Sequence, residues 1–272
     1  MKIRVAPSLG RGFERSFEEA WGLEVYDGVP GPAVFAGIYG LPDFYTLWRH
    51  KGKKYIFWAG SDIRHLHKGY WLDETGTIRL NSKGIALWIN QHCESWVENK
   101  LEQLALKSLG INSKVCPSYL GDVNKMEISY KQSDRPKLYS SVSGDNFDLY
   151  GWYKIDKLAE QYRDVKFHLY GNIGEFNPRN KNVIVHGRVP NEQMNAEIKE
   201  MQGAIRMIPL EGFSEIVAKS ILMGQYPVSV IPYEHCLLIE QIDEIKDKKE
   251  PNLAGREYYI KELNNYPFNK NK

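Results

Sequence analysis

A carboxylate, a glycine, an aromatic ring and a hydroxyl follow one another at Glu211, Gly212, Phe213 and Ser214, directly ahead of a segment that reads as a helix. In EGFSEIVAKSILMGQYPVSVIPY, residues 211–233, Ile216, Val217, Ile221 and Met223 recur at helical spacing, and Gly224 is placed to stop the helix. Val228, Val230 and Ile231 after Pro227 read as a buried parallel strand, and AIRMIPL, residues 204–210, as the strand before the helix. In such a strand, loop, helix, strand unit, ligands meet the carboxyl ends of the strands. There a helix N-terminus offers N–H groups and a partial positive charge to an anion. Gly212 and Ser214 leave that backbone open to a diphosphate.

The elements that must position this loop alternate along the chain. Residues 2–6 read as a strand, PSLGRG as a loop, and residues from about 13 to 21 as a helix, the first half of a Rossmann-like unit. The spacing of Gly10 and Gly12 is not the dinucleotide fingerprint. Strands are expected at 23–26, 33–38 and 55–59, with a helix at 43–50 that ends in the basic run Arg49, Lys51, Lys53 and Lys54. GSDIRHLHKGYW follows, where Ser61 or Asp62 suits the cap of a helix starting near Ile63. His65 and His67 are two apart and do not share a helical face, which argues against a metal pair. Residues 85–89 read as a strand with His92 at its end, 101–109 as a helix stopped by Gly110, and 114–117 as a short strand.

Polarity rises and periodicity fades over 121–136, which reads as a linker. Strands at 137–142, 166–170 and 183–186 then alternate with helices at 153–161 and from Pro190 and Asn191 onward. After Tyr233 the chain is charged and helical, with Leu238, Ile242 and Ile245 forming one apolar stripe. The expected fold class is α/β, with two Rossmann-like, doubly wound domains at 1–120 and 137–233. Helices over 234–272 complete the chain.

Composition narrows the partners. A chain of 272 residues with 42% hydrophobic content can bury two modest cores. A net charge of +2 and a pI near 8.2 leave no electrostatic footprint for nucleic acid. Cys93, Cys116 and Cys236 are widely spaced and suit a reducing cytoplasm better than a disulfide framework. MKIRVAPSLGRG has too short an apolar run for a signal peptide, and no apolar stretch of about eighteen residues could span a membrane. The expected location is cytoplasmic, with peripheral association at the inner membrane surface left open by the basic run.

EGFSEIVAKSILMGQYPVS resembles the donor-site segment of GT-B glycosyltransferases, especially the retaining family four. That segment carries Glu-Gly-Phe-Gly or similar, then Glu-Ala-Met-Ala, a Gly and Pro-Val. Gly60, Ser61 and Asp62 resemble the Gly-Ser/Thr-Asp-Ile segment of the first domain of such enzymes. The resemblance implies GT-B architecture with an interdomain cleft, and a metal-independent transfer of sugar from a nucleotide-sugar donor to a hydroxyl of a glycan, lipid or small acceptor. Polysaccharide biosynthesis is the implied context. No cofactor beyond the nucleotide-sugar co-substrate is implied. The resemblance places Glu211 on hydroxyls of the donor sugar; Asp62, besides capping, could contact a sugar or acceptor, and His65 could act on an acceptor hydroxyl, so Glu211, Asp62 and His65 are the catalytic candidates. Gly12, Gly171, Asn172, Arg188, Val189, Gly212, Phe213, Ser214, Glu215 and Lys219 would bind the donor.

Two departures stand against this pattern. The family has an Arg and a Lys after the first strand of the second domain to grip the diphosphate, whereas SGDNFDLYGW has neither before Lys154. Lys219 stands where a glutamate commonly binds the ribose; an ammonium cannot accept hydroxyl hydrogens, but on the donor helix it could supply the positive charge that the missing pair would have given the diphosphate. These departures keep two other readings open: a catalytically silent sugar-nucleotide-binding protein or partner subunit of a transferase, and a GT-B sugar-nucleotide epimerase.

Overall fold

The computed structural model describes residues 1–10, 12–67, 82–142, 146–172, 174–265 and 267–268. His67 lies in a described helix, but its side chain is not described, and neither is Arg11 of the first loop. The chain forms two compact units, the first comprising residues 1–122, 210–213 and 262–272, the second 123–209 and 214–261.

The first unit holds a six-stranded parallel sheet in the order β2-β1-β3-β4-β5-β6. Its strands are β1 (Lys2–Val5), β2 (Glu24–Val25), β3 (Ala33–Ala36), β4 (Lys54–Phe57), β5 (Cys93–Val97) and β6 (Lys114–Val115), and its helices are α1 (Gly12–Trp21), α2 (Leu41–Arg49), α3 (Ser61–His67), α4 (Ser82–His92) and α5 (Lys100–Ser108). Strand side chains alternate between faces, and here both faces are apolar. Phe35 and Ile56 pack with Leu47, Ile63, Ile89 and Leu106 of the helices, while Val34, Ala36 and Phe57 pack with Phe17 and Trp21 of α1. Two apolar faces need helices on both sides, which is the physical content of double winding. Phe268 closes the second face, its ring centroid 5.6 Å from that of Trp21 and 5.4 Å from that of Tyr55.

The region 85–89, expected as a strand, is part of helix α4, and His92 ends that helix rather than a strand. The strand is the next segment, β5. Ile85, Ala86 and Ile89 pack on one face of α4, and a short apolar run cannot separate a buried helix from a strand by periodicity.

The second unit has its own six-stranded parallel sheet, in the order β12-β11-β10-β7-β8-β9. Its strands are β7 (Lys137–Ser141), β8 (Lys166–Tyr170), β9 (Val183–Gly187), β10 (Gly203–Arg206), β11 (Val228–Ser229) and β12 (Leu237–Leu238). The helices are α6 (Trp152–Gln161), α7 (Asn191–Ile198), α8 (Glu215–Leu222) and α9 (Leu253–Asn264), the last up to Lys261, and Ile239–Asp247 winds as a 3-10 helix. Leu138, Phe167, Leu169 and Ile205 meet Trp152, Ile155, Ile242 and Ile245 on one face, and Tyr139, Tyr170 and Ala204 meet Ile198, Ile216 and Met223 on the other. Residues 123–136 are packed into this unit. Tyr130 is buried and donates to Lys248 O at 2.5 Å, and Arg256 of α9 donates to Met126 O and Leu222 O, each at 2.8 Å. No helix among the described residues is long and apolar enough to cross a membrane.

Candidate functional site

The carboxyl ends of β7, β8 and β9 open into a cavity of about 250 Å³. Ser141 and Val142 follow from β7, Tyr170, Gly171 and Asn172 from β8, and Arg188 and Val189 from β9, while Asn191 and Met194 of α7 close it. Gly171 is required where it stands. Its φ is +136°, and a Cβ there would lie 2.8 Å from the Val142 carbonyl oxygen.

Behind the cavity a stack of rings fixes the wall. Tyr170 lies on His186 with centroids 4.3 Å apart, and His168 lies on His186 at 5.1 Å. His168 Nδ1 is 2.9 Å from His186 Nε2, and the Tyr170 hydroxyl donates to Glu197 at 2.6 Å. Burial, with His186 adding to it, pushes His168 down to about 4. The hydrogen bond from Tyr170 lowers Glu197 below its ordinary range.

At the end of β10, next to β7, Arg206 is only 6% exposed. Its Nη1 donates to Ser141 O at 3.1 Å, and its guanidinium carbon sits 4.0 Å from the centre of the Tyr150 ring. Within AIRMIPL this residue reads as a break in an apolar strand. A cation inside a central strand is the signal that could have singled it out.

The first unit gathers carboxylates. Asp62 is fully buried; Oδ1 accepts from the amides of Ala59 at 3.0 Å and Ile63 at 2.8 Å, and Oδ2 from Ile38 at 2.9 Å. Both oxygens are thus engaged by backbone, and what Asp62 visibly does is tie the loops after β3 and β4 together. Burial raises it to about 7, although those amide bonds pull the other way. Glu98 accepts from the Ser118 amide at 3.1 Å and from the Ser118 hydroxyl. Glu102 is 0% exposed, accepts from the Glu98 amide at 2.9 Å, and has no partner for Oε1 among the described residues.

Glu211 and Gly212 lie on this cluster. Asn99, which caps α5 by accepting from Glu102 N, donates its side-chain amide to Glu211 O at 2.6 Å, and Arg64 donates to Leu210 O. Gly212 packs so tightly that a Cβ on it would collide with the Glu98 carboxylate. Burial is the main reason Glu102 sits well above the carboxylate range, with the charges of Glu98, Asp62 and Glu211 adding to it. His65 is exposed on α3, edge-on to Tyr39 at 5.8 Å, and the Tyr39 hydroxyl meets Ser61 Oγ at 2.5 Å.

The expected residues therefore fall into groups. Gly171, Asn172, Arg188 and Val189 line one cavity; Asp62, His65, Glu211, Gly212 and Phe213 belong to the first unit. Ser214 precedes α8, Glu215 is in its first turn, and Lys219 is near its end, bonded to Asn195 of α7 at 3.4 Å. Gly12 opens α1. No group of His, Cys, Asp and Glu among the described residues is arranged to hold a metal ion.

No protein-family model matches the chain, and no curated protein sequence matches it significantly. Solved structures do. Sucrose-phosphate synthase from Thermosynechococcus elongatus aligns over 94% of this chain and 73% of its own, with a TM-score of 0.58 at 12% identity. The apo form of the lipopolysaccharide outer core galactosyltransferase WaaB aligns over 98% of this chain and 97% of its own, with a TM-score of 0.52 at 10% identity. The fold is that of GT-B glycosyltransferases. A TarM mutant of S. aureus, in complex with fondaparinux, α-GlcNAc-glycerol and UDP, has a TM-score of 0.50 at 14% identity over 85% of this chain. The chain spans about half the length of that TarM structure, 51%.

Proposed function

We propose that the chain is a glycosyltransferase that binds a nucleoside-diphosphate sugar in the second unit and passes the sugar to a hydroxyl of a glycan acceptor. What supports this reading above all is that Gly171, Asn172, Arg188 and Val189, four of the residues that the resemblance assigns to the donor, line one cavity at the carboxyl ends of parallel strands. UDP is the first nucleotide to try, because the TarM structure holds it. The likeness of EGFSEIVAKSILMGQYPVS to family four extends the proposal to retention of configuration without a metal. It also extends it to a cytoplasmic place in polysaccharide synthesis. The leaving diphosphate carries the developing charge, so amides and cations around it are the catalytic means such a site has.

A thermal-shift series with UDP, GDP, ADP, dTDP and CMP, then with their sugar conjugates, tests the proposal. A ligand at about a hundred times its dissociation constant adds roughly 2.7 kcal/mol, which moves the midpoint by several degrees. A shift confined to one nucleotide is expected; a folded chain that answers none overturns the proposal. Release of nucleotide in the presence of sugar acceptors then reads turnover, and the anomeric configuration of the product reads retention.

The second reading, a sugar-nucleotide-binding protein without turnover, is favoured by the missing basic pair in SGDNFDLYGW and by Lys219 being engaged with Asn195. Nucleotide binding with no product from any acceptor would select it.

A further inference from the structure

We propose that the first unit carries a second binding site, a groove along α2 that takes an anionic saccharide chain. The groove is separate from the nucleotide cavity; the choice of a saccharide as its occupant rests on the glycosyltransferase reading above.

The groove has a volume of about 730 Å³ and runs from Pro42, in the first turn of α2, to Arg49, its last residue. Tyr26 and Pro30 line it from the segment between β2 and β3, Tyr45 lines it from the helix, and Lys51 stands at its end beside Arg49. Its size is that of pockets which enclose a bound molecule. Buried His50 fixes the floor. Its Nε2 lies 2.7 Å from Gly31 O, which can only accept, so in the neutral ring Nε2 carries the hydrogen and Nδ1 accepts from the Tyr26 hydroxyl at 3.1 Å. The Gly31 amide donates to Lys51 O at 3.0 Å, and a Cβ on Gly52, whose φ is +141°, would collide with Gly31 O. Both walls are thus held in place before any ligand arrives, which lowers the cost of binding.

Charge decides the class of ligand. Arg49 and Lys51 are exposed, and neither side chain has an ion-pair or hydrogen-bond partner among the described residues. A helix C-terminus favours a cation such as Arg49 in its last turn, but Lys51 lies beyond the helix. The carboxylates of the two walls are engaged elsewhere, Asp27 with Lys2 and Asp43 with Arg4 at 2.6 Å. One end of the groove is therefore positive, and a carboxylate, phosphate or sulfate fits the fork of Arg49 with Lys51 beside it as a point charge. Along the rest, the Tyr26 and Tyr45 rings present apolar bodies with polar tips, which suit the C–H faces and hydroxyls of sugar rings. The concave shape favours an inserted chain over a bilayer, which a protein enters with protruding apolar side chains.

Calorimetric titration of the full chain with a galacturonic acid oligosaccharide, neutral dextran and poly-glutamate tests the proposal, with UDP titrated separately into the same protein. The acidic oligosaccharide is expected to bind in preference to both polymers. Arg49→Gln combined with Lys51→Gln, shown folded by circular dichroism, should weaken it roughly tenfold or more. Lys181→Gln combined with Lys249→Gln removes the same charge from exposed positions of the second unit and should leave it unchanged. Tyr45→Ala should weaken the oligosaccharide and not poly-glutamate. No binding of the oligosaccharide, or binding indifferent to Arg49 and Lys51, overturns the proposal. Poly-glutamate bound as tightly, with no effect of Tyr45→Ala, overturns it in favour of an acidic polypeptide. Sedimentation with phosphatidylglycerol vesicles that needs Arg49 and Lys51, without oligosaccharide binding, overturns it in favour of a lipid surface. UDP binding without the oligosaccharide strikes the groove alone, whereas oligosaccharide binding with no nucleotide bound keeps the groove and overturns the glycosyltransferase reading.

Discussion

A Cβ placed on Gly60 would stand 2.9 Å from the amide nitrogen of Gly212, and 2.7 Å from Glu102 Oε1. Gly60 also has φ +73°, so the close approach and the left-handed backbone demand glycine independently. This explains the first residue of Gly60-Ser61-Asp62 in physical terms: it lets residues 211 and 212 lie on the carboxylate cluster. Gly60→Ala is expected to cost about 1–3 kcal/mol. Urea denaturation measures it, and a cost below about 0.5 kcal/mol would mean that the loop yields freely.

Glu102 gives a pH-dependent prediction with a definite sign. Its folded pKa is raised, so the folded chain keeps a proton that the unfolded chain releases above about pH 4.3. Its contribution to stability is fully present below that pH and is lost as the pH rises toward the folded pKa. Glu102→Gln stays neutral throughout. It should therefore gain stability relative to wild type as the pH rises from 4 to 8. Denaturation midpoints at the two pH values check this; a difference that does not change with pH would show Glu102 ionised in the folded chain.

His168 acts in the opposite direction. Its pKa is lowered to about 4, so the folded chain refuses a proton that the unfolded histidine takes up below about pH 6.5. Stability from this source is present above that value and is lost as the pH falls toward 4. His168→Phe keeps a ring on His186 and removes the titration, and it should be more stable relative to wild type at pH 5 than at pH 7.5. With partial exposure of the site discounted, the change should be about 1 kcal/mol. Melting temperatures at both pH values read the effect, and a uniform offset would assign His168 to packing alone.

How far the sequence reveals the fold depends on whether local signals agree with burial. The strands at Lys2–Val5, Lys137–Ser141 and Lys166–Tyr170 are legible because short apolar runs are bounded by loops, and Gly110 and Gly224 mark helix ends because both have φ above +70°. GIALWIN fails because a buried helix face and a buried strand look alike over so few residues. CESWV hides a strand behind Glu94, which turns outward to Lys114 at 2.8 Å and Lys53 at 3.7 Å. Of the candidate residues, Gly171 and Arg188, which the resemblance assigns to the donor, line the cavity of the second unit. In the first unit Asn99 and Arg64 are not legible in the sequence, because their work is to hold Glu211 O and Leu210 O, more than a hundred residues away along the chain.

Glu211 carries the last prediction. Its backbone oxygen is held by Asn99 and its neighbour Gly212 is pressed on Glu98, so two of the contacts that place residue 211 do not involve its own side chain. Truncating the side chain should leave the loop in place and remove only what the carboxylate does. If that carboxylate accepts hydroxyl hydrogens of the donor sugar, Glu211→Ala should weaken UDP-sugar binding by roughly tenfold or more and leave UDP binding nearly unchanged, since hydrogen bonds to a charged group are worth about 1.5–3 kcal/mol. Calorimetry with the two ligands in parallel makes the comparison. Equal losses for UDP and UDP-sugar would take Glu211 off the sugar. A loss of turnover with both affinities intact would place its interaction in the transition state rather than in the bound donor.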